Sequence, residues 1–189
     1  MSENDLRKMH VSNAERVVVK VGTNVLAAPG KPLDDERVHA IAEQMAWLKE
    51  SGRQVVLVSS GAIGCGMSAL EIASRPTQLP LLQAIASVGQ GKLIARYEDH
   101  FRRHGLHAAQ VLLTREDVDD RRRYLNACNT IHELMDMPCV PVINENDTIS
   151  TDEICLGDND ALAALVTNMI RARLLVLLTS VPGLYSEPP

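Results

Sequence analysis

Residues 140–150 read VPVINENDTIS: an apolar run, Val140 to Ile143, passes straight into Asn144, Glu145, Asn146 and Asp147. Apolar residues at consecutive rather than alternate positions are the pattern of a strand covered on both faces. Four more runs have this character, Val17 to Val19, Val55 to Val58, Ala109 to Leu113 and Leu174 to Leu178. Longer amphipathic segments separate them. Between the first two, Asp34, Asp35 and Glu36 crowd a helical first turn, Val38, Ile41, Met45 and Leu48 make an apolar stripe, and Gly52 follows Lys49 at the end. A longer helix is predicted from near Pro80 to before Gly105, with Leu82, Ala86, Gly89, Leu93, Tyr97 and Phe101 on one face, weakened locally by Gly89 and Gly91. Tyr124, Cys128, Ile131 and Met135 give a third stripe, and Leu162, Leu165, Val166 and Met169 a fourth. Strands alternating with helices, through connections too long for hairpins, predict an α/β protein: a three-layer α/β/α sandwich with a mainly parallel central sheet.

In such a sheet ligands bind beyond the carboxyl ends of the strands. The residues there are polar or small: Lys20-Val21-Gly22-Thr23-Asn24, Ser59-Ser60-Gly61-Ala62, Asn144-Glu145-Asn146-Asp147 and Thr179-Ser180. Four such loops on one edge point to a shared polar pocket. Lys20 alone fits a solvated strand end as well as an anion site; Gly22-Thr23 after it favours the anion. Residues 59–66, SSGAIGCG, read as a flexible turn or as a loop whose glycines let backbone N–H groups approach a carboxylate or phosphate. Gly157-Asp158-Asn159-Asp160 supplies a helix N-cap with more acids and amides than a cap requires.

The 189 residues, 46% of them hydrophobic, suffice for one sizeable core. With 19 Lys plus Arg against 24 Asp plus Glu, the net charge of -5 argues against nucleic acid or an anionic membrane as the main partner. Cys65, Cys128, Cys139 and Cys155 form no CxxC pair and read as reduced, buried thiols. Residues 1–15 read as a polar tail without the apolar core of a signal peptide, and no run approaches the roughly 18 residues of a membrane span, so a cytoplasmic location is expected.

Several motifs are ruled out. There is no GxxxxGK[ST], and GAIGCG is not GxGxxG. Asp158-Asn159-Asp160 lacks the glycine and terminal glutamate of a calcium loop, and His132-Glu133 is followed by Asp136 where a zinc helix needs its second histidine. The basic and acidic residues of EDVDDRRRY read as a solvated or ion-paired helix start.

The ordered set VVVKVGTNVL, VVLVSSGAIGCG, ASVGQGKL, LLTREDVDDRRRYLNA, VPVINENDTIS, GDNDALAALV and LLVLLTSVPGLY resembles the glutamate 5-kinase branch of the amino acid kinase family, from about residue 16 to the end. The resemblance implies an amino acid kinase domain over 16–189, and phosphoryl transfer from ATP, carrying Mg²⁺, to the γ-carboxylate of L-glutamate, the first step of proline synthesis. It implies L-proline as feedback inhibitor and a homo-oligomer. Lys20, oriented by Asp160, would stabilise the moving phosphoryl group; Gly22 and Thr23 would donate to phosphates, and Gly61 and Ala62 would face the transferred group. Ser60, Asp147 and Asn159 would hold glutamate, with Asp147 on the ammonium. Thr179 and Ser180 stand where the family's nucleotide loop usually reads Thr-Asp or Ser-Asp. No protein metal ligands are expected. The family's kinase domain would continue for roughly another 60 to 80 residues, within ordinary domain lengths, so the chain is expected to hold the glutamate half and to be incomplete for ATP. The alternatives are a kinase for a related carboxylate such as N-acetylglutamate, and a non-catalytic amino-acid-binding fragment.

Overall fold

The computed structural model describes residues 3–28, 31, 33–149, 159–180 and 183. In chain order the elements are α1 (Glu3–Ser12), β1 (Arg16–Val21), α2 (Thr23–Leu26), α3 (Asp35–Glu50), β2 (Gln54–Ser59), α4 (Ala62–Ala69), α5 (Leu79–Phe101), β3 (His107–Leu113), α6 (Arg115–Asp119), α7 (Arg121–Asp136), β4 (Cys139–Glu145), α8 (Asn159–Met169) and β5 (Leu174–Leu178). A single 3-10 turn, Arg102–His104, follows α5. All five apolar runs are strands, joined in one sheet of order β3-β4-β2-β1-β5 in which every pairing is parallel.

Alternation along each strand sorts the core into two layers. Val17, Val19 and Val21 of β1, Val55 and Leu57 of β2, and Val140 and Val142 of β4 pack in one cluster with Val38, Ile41 and Met45 of α3 and Leu93, Tyr97 and Phe101 of α5. Val18, Val56, Val58 and Ile143 belong to a second cluster with Cys128, Ile131 and Met135 of α7 and Leu162, Ala163, Val166 and Met169 of α8. The sheet is thus covered on both faces, as a run of consecutive apolar residues requires. The same parity turns Lys20 toward the α8 layer and Ser59 toward α5, where its hydroxyl lies 2.9 Å from the Tyr97 hydroxyl.

Two local expectations are corrected. The runs in β3 and β5 are not buried on both faces, because these are the edge strands; their residues are mostly half-buried or exposed. In α8, Ala163 takes the buried place that the stripe assigned to Leu165, which is half-buried. Residues Glu3–Ser12, read as part of a tail, form a helix. Gly89 and Gly91 do not interrupt α5, which is continuous over 23 residues. A Cβ on Gly89 would lie 1.8 Å from the Ala62 carbonyl oxygen, and one on Gly66 1.9 Å from that of Ile85, so α4 and α5 cross with their backbones in contact. Gly89 is there for that approach.

Helix starts follow the polar residues before them. The Asp34 side chain accepts from Glu36 N–H ahead of α3, Thr114 and Asp117 form a reciprocal capping box on α6, and Asp120 accepts from Arg122 and Arg123 at the start of α7. Cys65 and Cys128 are buried and Cys139 half-buried, all three as free thiols; Cys155 lies outside the described residues. Burial pushes the Cys65 thiol up to about 11. Among the described residues no helix is long and apolar enough to cross a membrane.

Candidate active site

Lys20 is the fifth residue of β1 and only 6% exposed. A buried ammonium needs a partner, and its Nζ lies 2.6 Å from Oδ1 of Asp160, in the first turn of α8. Gly22 follows directly: its N–H donates to the Leu178 carbonyl at 3.3 Å, tying the end of β1 to that of β5, and its Cα face lies against the Lys20 ammonium. Any side chain at Gly22 would project toward that ammonium.

At the end of β2, Ser60 N–H donates to Val21 O, and Gly61 takes φ +109°, a left-handed conformation that side chains rarely adopt. That turn starts α4 at Ala62. The loop-or-turn reading of SSGAIGCG is corrected here: residues 62–66 are the first turns of a helix, held by the backbone contact with α5. At the end of β4, Asn144 and Glu145 are still strand residues and are buried, and Asn146 N–H donates back to Leu113 O, turning the chain so that Asp147 faces inward.

A chain of amides joins these ends. Asn144 Nδ2 donates to Gln90 Oε1 of α5 at 2.9 Å, and Asn159 Nδ2 donates both to Asn144 Oδ1 at 3.1 Å and to Ser60 Oγ at 2.7 Å. Because Ser60 Oγ accepts from Asn159, its own proton is left to point elsewhere, toward an acceptor.

Ser60, Gly61, Ala62, Thr23, Asp147 and Asn159 line one cavity of about 160 Å³. Asn144, Glu145 and Arg75 line it too. Partial burial, and then the neighbouring Glu145, push the Asp147 carboxyl up to about 6, against the opposing pull of Arg75.

Of the eleven residues singled out from sequence, six therefore surround one cavity. Lys20 and Asp160 form an ion pair reached from the same β1 and α8 termini, and Gly22 lies beside it. Thr179 and Ser180 are exposed just past β5 and do not line the cavity. Asp158 and Gly157 lie outside the described residues. Sequence reasoning gave no role to Arg75 or Gln90, and placed Glu145 at the shared strand-end edge without assigning it one. Gln90 was recoverable, since it sits beside Gly89 in a helix otherwise apolar on that side; Arg75 lies in a connection rather than at a strand end, where no rule of strand order would place it.

The hydroxyls and ammonium at the ends of β1, β2 and β5 have the donor chemistry for phosphate oxygens, and the cavity has that for a small zwitterion. A sequence profile of the amino acid kinase family matches residues 15–189. The chain is 52% identical to the glutamate 5-kinase of Pseudomonas entomophila (strain L48) over 179 residues, which is 95% of this chain and 48% of that protein. The glutamate 5-kinases of Marinomonas sp. (strain MWYL1), 50% identical over 95% of this chain, and Thioalkalivibrio sulfidiphilus (strain HL-EbGR7), 51% over 96%, are likewise covered to 48% of their length. The chain spans about half the length of the curated relatives it matches. The parallel five-stranded sheet covered on both faces, the polar cluster at its strand ends and the match over nearly all of its residues together mean that the chain belongs to the amino acid kinase family.

Proposed function

We propose that this protein phosphorylates the γ-carboxylate of L-glutamate, giving L-glutamyl 5-phosphate for proline biosynthesis, and that the residues described here hold the amino acid. The observation that carries this reading is Asp147, a carboxyl of raised pKa sharing a cavity with the Ser60 hydroxyl that Asn159 orients. The names of the relatives agree with it. In the transfer a γ-carboxylate oxygen bonds to the terminal phosphorus of ATP as the bond to the ADP oxygen breaks; the acceptor is already ionised, so no base is needed. Catalysis is then a matter of alignment and positive charge.

Lys20 supplies that charge. Its ion pair with Asp160 fixes the ammonium at the strand end. Gly61 and Ala62, at the start of α4, face the transferred group, and Gly22 and Thr23 with Thr179 and Ser180 are the residues that would hold ATP phosphates. Mg²⁺ bound to ATP supplies charge neutralisation between its phosphates. Ser60, whose hydroxyl Asn159 orients by donating to its oxygen, serves carboxylate oxygens, and Asp147 takes the ammonium. We extend the reading to a 16–189 kinase domain, a homo-oligomer in the cytoplasm, and L-proline, itself an ammonium carboxylate, competing for the Asp147 end of the cavity.

Asp147 separates this reading from N-acetylglutamate phosphorylation, because an acylated nitrogen carries no charge for it to meet. The test is thermal unfolding with each amino acid. L-glutamate at about a hundred times its dissociation constant adds roughly 2.7 kcal/mol and raises Tm by roughly 5–10 °C. N-acetyl-L-glutamate leaves Tm unchanged, and Asp147→Asn removes the glutamate shift. Stabilisation by the acetylated ligand in place of glutamate overturns the proposal.

A further inference from the structure

L-glutamate presents three charged groups: an ammonium, a distal carboxylate and an α-carboxylate. If the distal carboxylate lies by Gly61 and the ammonium by Asp147, the α-carboxylate has the neutral Ser60 hydroxyl as a donor and lies beside two acids, since Glu145 lines the same cavity. Without a cation such a pocket favours amines over amino acids. The cavity lining contains one cationic side chain among the described residues, Arg75.

Arg75 lies in the connection between α4 and α5, not at any strand end. That connection is fastened where it leaves α4, with Leu70 N–H on Gly66 O at 3.0 Å and Ile72 N–H on Met67 O at 2.9 Å. Pro76 follows Arg75 and holds it out of the helical region, so its backbone is preset before α5 begins. The guanidinium is close enough to Asp147 to oppose the rise in that carboxyl's pKa. Arg75 lines the cavity while remaining exposed to solvent, and a guanidinium is a planar fork that binds a carboxylate in two-point fashion.

We propose that Arg75 recognises the α-carboxylate of the amino acid substrate, and so makes the pocket select an α-amino acid over the corresponding amine. This rests on the proposed function above, and the experiment keeps the two apart. Calorimetric titrations of the wild type, Arg75→Gln and Arg75→Lys use L-glutamate and 4-aminobutyrate, which keeps the amine and the distal carboxylate and lacks only the α-carboxylate. The expectation is that the wild type prefers glutamate by roughly tenfold or more, the worth of one charged hydrogen-bonded pair. Arg75→Gln loses that preference by weakening glutamate alone, and Arg75→Lys recovers part of it. A wild type that binds glutamate while Arg75→Gln still discriminates as well overturns the role of Arg75 and leaves the function standing. Equal weakening in both variants with a lowered Tm marks a structural role and overturns it as well. A wild type that binds no glutamate overturns the function and this inference together.

Discussion

Asp147 makes the cavity's behaviour depend on pH. Its pKa rises on folding, to about 6, because of partial burial and Glu145. The protonated form is thus favoured in the folded state: the contribution to stability is greatest below the usual carboxylate range and is lost as pH rises through about 6. Above pH 6 the empty protein carries a carboxylate it would be more stable without. Asp147→Asn is expected to raise Tm at pH 8 and to leave it nearly unchanged at pH 3. The gain is about 1 kcal/mol once the solvent reaching this group is allowed for, read by scanning calorimetry at the two pH values. Amino-acid binding has the opposite slope. A bound ammonium draws the carboxyl back down, so affinity for L-glutamate falls as pH drops below about 6, by up to about tenfold per unit, and binding above it releases almost no proton; titration in buffers of different ionisation enthalpy measures this. In a protein carrying the whole kinase domain, Lys20→Ala is expected to reduce γ-glutamyl phosphate formation by at least about a hundredfold while the protein still folds, as trapping with hydroxylamine and a cooperative melt report; turnover close to wild type would remove Lys20 from the chemistry. The candidate residues at strand ends were legible because strand direction alone brings them to one edge. The partners that align them were not: Gln90 reaches Asn144 from a helix more than fifty positions earlier in the chain, a contact that only the packing of α5 against the sheet creates.

The two helices after β2 decide where Gly61 and Ala62 stand. Their backbones touch at Gly66 and Gly89, and each glycine faces a carbonyl oxygen, not a side chain that could turn aside. Gly89→Ala is therefore expected to cost well over 3 kcal/mol, by chemical denaturation, and to weaken amino-acid binding by moving Ala62. Gly91→Ala, where nothing lies within 4 Å of the new methyl, is expected to stabilise α5 by up to about 1 kcal/mol. One glycine of the pair is indispensable and the other dispensable, although in sequence both look like helix breakers. Propensity describes a helix in isolation and does not register a neighbour's backbone. The same limit explains α4. Glycine and cysteine in GAIGCG suggest a loop, but burial against α5 makes the segment a helix. Where an apolar stripe is regular, as in α3 and α7, sequence located the element, and for α3 its ends as well. Edge position was invisible, since the runs in β3 and β5 are as apolar as those between them; which strand lies outermost depends on connections, not on composition.

The sheet belongs to both core layers at once, so loosening either side removes support from the other. Leu57→Ala, in the layer with α3 and α5, and Ile143→Ala, in the layer with α7 and α8, are each expected to cost about 2–5 kcal/mol. Both should lower one shared transition. Far-ultraviolet dichroism and tyrosine absorbance that melt at different temperatures would show that the layers unfold separately. Trp47 is a poor reporter for this, being 63% exposed on the outer side of α3. The strand order bears also on how the protein is made. β1 lies between β2 and β5, with Val17 in register with Leu174. As the ribosome delivers the chain, β1 gains β2 early, yet its other side stays open until residues 174–178 have emerged. With so many pairings between distant segments, folding is slow compared with a helical bundle of the same size. The nascent protein thus carries a valine-rich edge uncovered from the emergence of β2 to that of β5, the interval in which a chaperone has most to protect.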